Sequence, residues 1–181
     1  VEAWIRNQCA PLLSDLSAED EGESKLLQAF LHPAAEPLEI RFANGGDLSV
    51  AARTSSVGPG YHIYICDLLR RMQADLGIEW VLSADHYGDD TDYFESRDTQ
   101  TLQGHMLSWL SALCETVLED SPDDNAQIAV ALPVDVTFES TGFLTTAMGP
   151  RTREWAEQVA KHRAVREGTP GCPESAERES V

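Results

Sequence analysis

Two runs of strict alternation constrain this chain more than anything else in it. Leu38, Ile40 and Phe42 alternate with Glu39 and Arg41, and after Asn44-Gly45-Gly46 the residues Leu48, Val50 and Ala52 alternate in turn. Alternation with period two places apolar side chains on one face of a pleated ribbon. Asn-Gly between two such runs is the strongest short-range hairpin signal, because both turn positions then take positive φ. A β-hairpin over 38–53 is therefore predicted, and it needs an apolar surface to cover one of its faces.

The cover lies immediately downstream. Tyr61, Tyr64, Ile65, Leu68, Leu69, Met72 and Leu76 recur at helical spacing, while Arg70, Arg71, Gln73 and Asp75 fall on the opposite side. Pro59 suits the first helical position, since its missing N–H has no intrahelical partner there, and Gly77 is a natural stop. Between hairpin and helix lies Thr54-Ser55-Ser56-Val57-Gly58-Pro59-Gly60-Tyr61-His62. A glycine-containing loop opening a helix presents free amides and the positive end of the helix dipole, a combination suited to an anion. Gly58, Gly60 and Arg53 are the candidate ligand-binding residues, with Ser55 and Ser56 as hydroxyl donors. His62, in the first turn, is held toward its neutral form by the dipole and is a candidate base. The stretch has neither the Gly-Lys-Ser/Thr ending of a P-loop nor a GxGxxG fingerprint, and no nucleophile elbow surrounds its serines. As a purely structural element it is a tight strand-to-helix turn.

The remaining elements follow from periodicity and punctuation. Residues 3–16 place Ile5, Cys9, Leu12, Leu13 and Leu16 on one helical face, broken by Pro11. A short helix carrying Leu26, Leu27, Phe30 and Leu31 ends at His32-Pro33. Ile78 to Leu82 reads as a strand. Asp85 to Asp98 is a polar connection, and Asp98 caps a helix running to about Leu118. Strands are expected over 127–132, 134–138 and 142–147, then a helix after Gly149-Pro150. The order α-α-ββ-α-β-α-β-β-α defines an α+β fold, with a mixed or antiparallel sheet of about five to six strands packed by helices. Residues 1–167 are expected to form one domain, with an N-terminal helical segment over 1–33. Residues 168–181, rich in Gly, Pro, Ser and Glu, are expected to be a disordered tail.

Charge bears most on function. Thirty-one acids against thirteen Lys plus Arg give a net charge of -18 over 181 residues. Such a field repels phosphate backbones and favours a basic protein as partner; no nucleic acid and no membrane partner is expected. No apolar run approaches the ~20 residues of a membrane span, and no signal peptide is expected. A start at Val1 rather than Met fits an excised segment. Cys9, Cys66, Cys114 and Cys172 are scattered without a CxxC pair, which fits a reducing, cytoplasmic setting. Eleven of the thirteen basic residues are arginine, a bias consistent with a GC-rich bacterial genome.

The acidic connection is the second candidate surface. Asp89, Asp90, Asp92, Tyr93, Phe94 and Arg97 are the candidate partner-binding residues, combining charge with the aromatic and arginine types enriched at interfaces. The same aromatics would serve equally as pins holding the connection to the core. Asp85, Asp89, Asp90, Asp92 and Glu95, near His86, carry oxygen ligands for a hard cation, but their spacing does not match an EF-hand. No metal and no cofactor is expected. His105 and His162, far apart on helices, read as helix residues rather than ligands. The favoured reading is a non-enzymatic acidic interaction module, of the kind that antitoxin or immunity proteins represent. The alternative is a small enzyme taking an anionic substrate at the Ser55–His62 turn, through acyl or phosphoryl chemistry, with His86 or Asp92 as the partner of His62.

Overall fold

The computed structural model describes residues 1–20, 22–81, 88–120, 128–129, 150–151 and 153–167. The fold is α+β, with five helices and a four-stranded antiparallel sheet among these residues. The sheet is a meander in the order β1 (Asp15–Asp20), β2 (Ser24–Phe30), β3 (Leu38–Ala43) and β4 (Leu48–Ala51). The predicted hairpin is its β3–β4 half, with Ile40 opposite Val50 and Phe42 opposite Leu48. Its turn differs in detail from the expected one. Gly46 alone takes positive φ, at 93°, and its amide donates to the Ala43 carbonyl at 3.0 Å.

Antiparallel register sorts the sheet into two faces. Leu16, Leu27, Ala29, Leu38 and Ile40 share the buried side. On the other side Ser17, Gln28 and Glu39 form a polar ladder, with Ser17 Oγ 3.4 Å from Gln28 Oε1 and Gln28 Nε2 donating to Glu39 Oε1 at 3.1 Å. Helix α2 (Pro59–Leu76) covers the apolar side. Tyr61, Ile65, Leu68 and Met72 join the sheet residues, Ile5 and Cys9 in one core. Each fully buried aliphatic side chain here is worth ~1.5–3 kcal/mol relative to exposure, so this face carries the stability of the sheet–helix layer.

The N-terminal segment corrects the reading of 1–33 as helical. Among the described residues only α1 (Glu2–Gln8) is a helix there, and Asp15–Asp20 and Ser24–Phe30 pair as the antiparallel strands β1 and β2. In β2, Leu27 and Ala29 point to the core, while Leu26 is buried from the opposite face. A strand apolar on both faces loses its period-two signature and matches a short helix template equally well. Leu12 and Leu13 lie in the turn that follows α1, their amides bonded to the Cys9 carbonyl, and in β1 the sheet pairing of Leu16 overrides the helical spacing.

Residues 78–81 form no strand, against expectation. Ile78 and Trp80 instead pack against the sheet–helix core, and the Trp80 indole N–H donates to the Leu69 carbonyl of α2 at 2.9 Å. The indole thus binds a carbonyl of α2, where a strand would have paired its backbone. After α3 (Tyr93–Ser96), α4 (Thr99–Asp120) starts where predicted: Asp98 accepts from the Gln100 and Thr101 amides at 2.9 and 3.2 Å. Of the later strands, β5 (Ile128–Ala129) and β6 (Pro150–Arg151) are described and pair with each other. The expected strands over 134–138 and 142–147, and the tail at 168–181, lie outside the described residues. The last helix, α5 (Arg153–Glu167), begins after β6 rather than at Pro150.

Of the described residues, 1–107 belong to one compact unit and 108–120 with 153–167 to another. In the second unit Leu110, Cys114, Ala156 and Val159 are buried, and Ser111 donates to the Val159 carbonyl at 3.1 Å. Among the described residues no helix is long and apolar enough to cross a membrane.

Candidate functional site

Helix α2 has a second buried side. Residues 62, 66 and 70 follow one another at i, i+4 and i+8, so His62, Cys66 and Arg70 form a stripe beside the sheet-facing residues. That stripe faces the segment 89–94 and the start of α4, where Cys66 packs with Tyr93, Leu102 and Met106.

His62 is the centre. Its Nδ1 lies 2.8 Å from Thr54 Oγ1. Its Nε2 lies 3.2 Å from Asp89 Oδ1, 3.1 Å from Thr91 Oγ1 and 3.4 Å from Cys66 Sγ. The side chains of His62 and Asp89 are only 12% and 9% exposed, and Cys66 is 4% exposed. A proton on Nδ1 donates to Thr54 and leaves the Nε2 lone pair facing the other three groups. A proton on Nε2 donates to Asp89 and Thr91 instead.

Asp89 is the most heavily engaged carboxylate at this site. Its Oδ1 accepts from the Thr91 amide at 2.9 Å and the Thr91 hydroxyl at 2.6 Å, and its Oδ2 accepts from the Phe94 amide at 2.6 Å. Burial raises the Asp89 pKa, but the hydrogen bonds from His62, Thr91 and Phe94 outweigh it and hold the carboxyl well below the usual carboxylate range. Arg70 closes the other end of the segment. It donates to the carbonyls of Tyr93, at 3.0 Å, and Phe94, and pairs with Asp67 at 2.8 Å. Its guanidinium also sits 4.9 Å from the Phe94 ring centroid, within cation–π range. Two non-glycine residues, Asp92 and Arg97, hold positive φ at the ends of α3.

The turn at 54–62 is committed to packing. The Thr54 carbonyl accepts the amides of Val57 at 3.0 Å and Gly58 at 2.9 Å, and Val57 to Tyr61 are buried. Gly58 has φ 113°, a conformation that requires glycine. Its amide is thus spent inside the turn, and Gly60 is enclosed in the first helical turn. The Ser56 hydroxyl donates to the Ala34 carbonyl at 2.9 Å, and Ser55 is half-buried. Arg53 is exposed and pairs with Glu36 at 2.9 Å. The hydroxyl that meets the His62 ring from this turn is therefore Thr54, and the carboxylate is Asp89 rather than Asp92; His86 lies outside the described residues.

The acidic segment divides by orientation. Asp90, Asp92, Glu95 and Arg97 are exposed, whereas Asp89 and Tyr93 are turned inward and Phe94 is half-buried beneath Arg70. The aromatics act here as pins. The outward carboxylates do not converge with Asp89.

Thr91 escaped the sequence reading; Thr54 and Cys66 figured in it without a role at this site, and Arg70, expected on the outward side of α2, is instead turned against the 93–94 backbone. His62 and Cys66 at i, i+4 is a signal visible on any helical wheel, but a cysteine among apolar residues reads as a small hydrophobe. Burial, reinforced by the charge of Asp89, pushes the Cys66 thiol up to about 12. A protonated thiol in mid-helix is no nucleophile. The geometry is also not that of a relay, in which base and orienting carboxylate occupy opposite ring nitrogens; here Cys66 and Asp89 share Nε2.

Comparison of the chain with protein-family models, with curated proteins and with solved structures found no match.

Proposed function

We propose that this chain is an acidic protein-interaction module that binds a basic protein. The observation that supports this reading most is the construction of the 89–97 segment. Asp89 and Arg70 fix its backbone from below, and Asp90, Asp92 and Glu95 face solvent from that fixed backbone. A preorganised display of like charges costs a partner little ordering entropy. The net charge of -18 adds long-range steering toward a cationic surface and away from nucleic acid. A cytoplasmic setting in a bacterium belongs to the same reading; buried, free Cys9, Cys66 and Cys114 are compatible with it. The antitoxin or immunity type of protein is the nearest functional analogy, by composition alone.

The test is recovery of the partner from a bacterial host at two salt concentrations, with wild-type protein and with a D90N/D92N/E95Q variant as baits. A basic protein should be retained by the wild type at ~50 mM salt and released at ~500 mM, where the Debye length shrinks to a few ångströms. The triple variant should recover much less of it. A partner that is acidic, or one held equally by both baits at both salt concentrations, would refute the proposal.

A further inference from the structure

We propose that His62, Cys66 and Asp89 bind a zinc-class transition-metal ion through Nε2, Sγ and Oδ1. These are the donors that converge in the first unit: an imidazole nitrogen, a sulfur and a carboxylate oxygen, all within 4.8 Å of one another. A tetrahedral zinc ion has ligand bonds of about 2.0–2.3 Å, which spaces N, O and S donors about 3.3–3.6 Å apart. The observed Nε2–Oδ1 and Nε2–Sγ separations are 3.2 and 3.4 Å. Two of the three donor separations thus match the edges of a coordination tetrahedron; the third, Sγ to Oδ1, lies within 4.8 Å and closes to about 3.5 Å when an ion binds.

Three further features point the same way. Thr54 Oγ1 lies 2.8 Å from Nδ1; with an ion on Nε2 the ring proton resides on Nδ1 and Thr54 accepts it, as outer-sphere partners of this kind orient metal-bound histidines. Asp89 is locked by the Thr91 and Phe94 amides, so its carboxylate is placed before any ion arrives. The charge also balances. As the metal–sulfur bond forms, Cys66 gives up its thiol proton to solvent; thiolate, carboxylate and neutral imidazole then neutralise a divalent cation, so no net charge is buried. The mixed N/S/O donor set selects zinc, cobalt or nickel over magnesium and calcium, which want oxygen ligands. Three protein ligands leave a fourth position for water.

The site differs in kind from a hard-cation site in the acidic segment, because Asp90, Asp92 and Glu95 point away from it. It would clip α2 to the 89–94 segment. It stands apart from the partner reading: loss of metal binding would leave the outward charges in place, and loss of partner binding would leave the site intact.

Cobalt(II) titration of the metal-free wild-type chain tests it. The expected result is one equivalent bound, with a thiolate-to-cobalt charge-transfer band in the near ultraviolet and the intense visible bands of tetrahedral cobalt; zinc should displace both, and excess magnesium or calcium neither. The C66S variant should lose the charge-transfer band, and D89N and T54V should each weaken cobalt binding about tenfold or more. A variant in which Cys9, Cys114 and Cys172 are serine should keep the band, which guards against misfolding of C66S. No band in the wild type, a band that survives C66S, or equal competition by magnesium overturns the proposal.

Discussion

The two buried sides of α2 make opposite use of the same helix. Toward the sheet, Tyr61, Ile65, Leu68 and Met72 bury apolar surface against Leu27, Leu38 and Ile40, a contact that many hydrophobic combinations would satisfy. Toward the 89–94 segment, His62 and Arg70 meet named polar atoms at hydrogen-bond distance, and Cys66 packs on Tyr93 with its Sγ 3.4 Å from His62 Nε2. The first side derives its strength from area, the second from complementarity. A polar side chain buried without its partner costs more than its bond contributes, so the second side holds only as a complete set.

The comparison can be broken most forcefully on the apolar side. Leu68→Ala should lower the unfolding free energy by ~3 kcal/mol in urea denaturation, because a fully buried leucine leaves a cavity the core cannot close. On the polar side, Arg70→Met should destabilise by ~2 kcal/mol, since the carbonyls of Tyr93 and Phe94 lose their donor. Hydrogen exchange would separate the two: the Arg70 change should speed exchange in residues 89–97 far more than in α2, whereas the Leu68 change should speed both. Equal effects would mean that α2 and the segment open as one unit.

Smaller effects sharpen the boundary between the sides. Asp98→Ala removes the acceptor for the Gln100 and Thr101 amides and should lower the melting temperature less than Arg70→Met does, with the loss confined to the first turn of α4. A pH series addresses His32, which is buried beside the Tyr61 ring at 5.6 Å on the apolar side. Burial lowers the His32 pKa, so the unfolded chain binds the proton first. Its effect on stability is nil well above the unfolded value of about 6.5 and grows unfavourable as pH falls below it toward the folded value. Wild-type melting temperature should therefore fall between pH ~7 and ~5, and His32→Gln should flatten that slope. An unchanged slope would assign the acid sensitivity to another group.

How much of this was legible in the residues varies with the range of the interactions. The β3–β4 hairpin, α2 and the Asp98 cap rest on neighbours a few positions apart, and the alternation at 38–52, the helical spacing at 61–76 and the Asp98 side chain encode them locally. The β1–β2 hairpin is not legible locally, because Leu26, Leu27, Phe30 and Leu31 fit a helical spacing as well as a strand apolar on both faces, and the pairing of β2 with β1 and β3 decides its conformation. The candidate site was legible by half. His62 stood out at its turn and Asp89 in its acidic segment, but the two were assigned to different roles. Tyr93 and Phe94 suit pins that hold the segment to the core, but nothing in either stretch specifies that Asp89 is the carboxylate that meets His62.

The residues alone determined an acidic chain, a sheet half built from 38–52, and a helix from Pro59 that must lay its apolar side on that sheet. Only tertiary structure decided that Asp89 turns inward while Asp90 and Asp92 turn out, and that His62 and Cys66 meet it. Local periodicity records which side of an element avoids water. The meeting of particular donors and acceptors depends on how separate elements dock, and that is set by the energy of the whole packed unit.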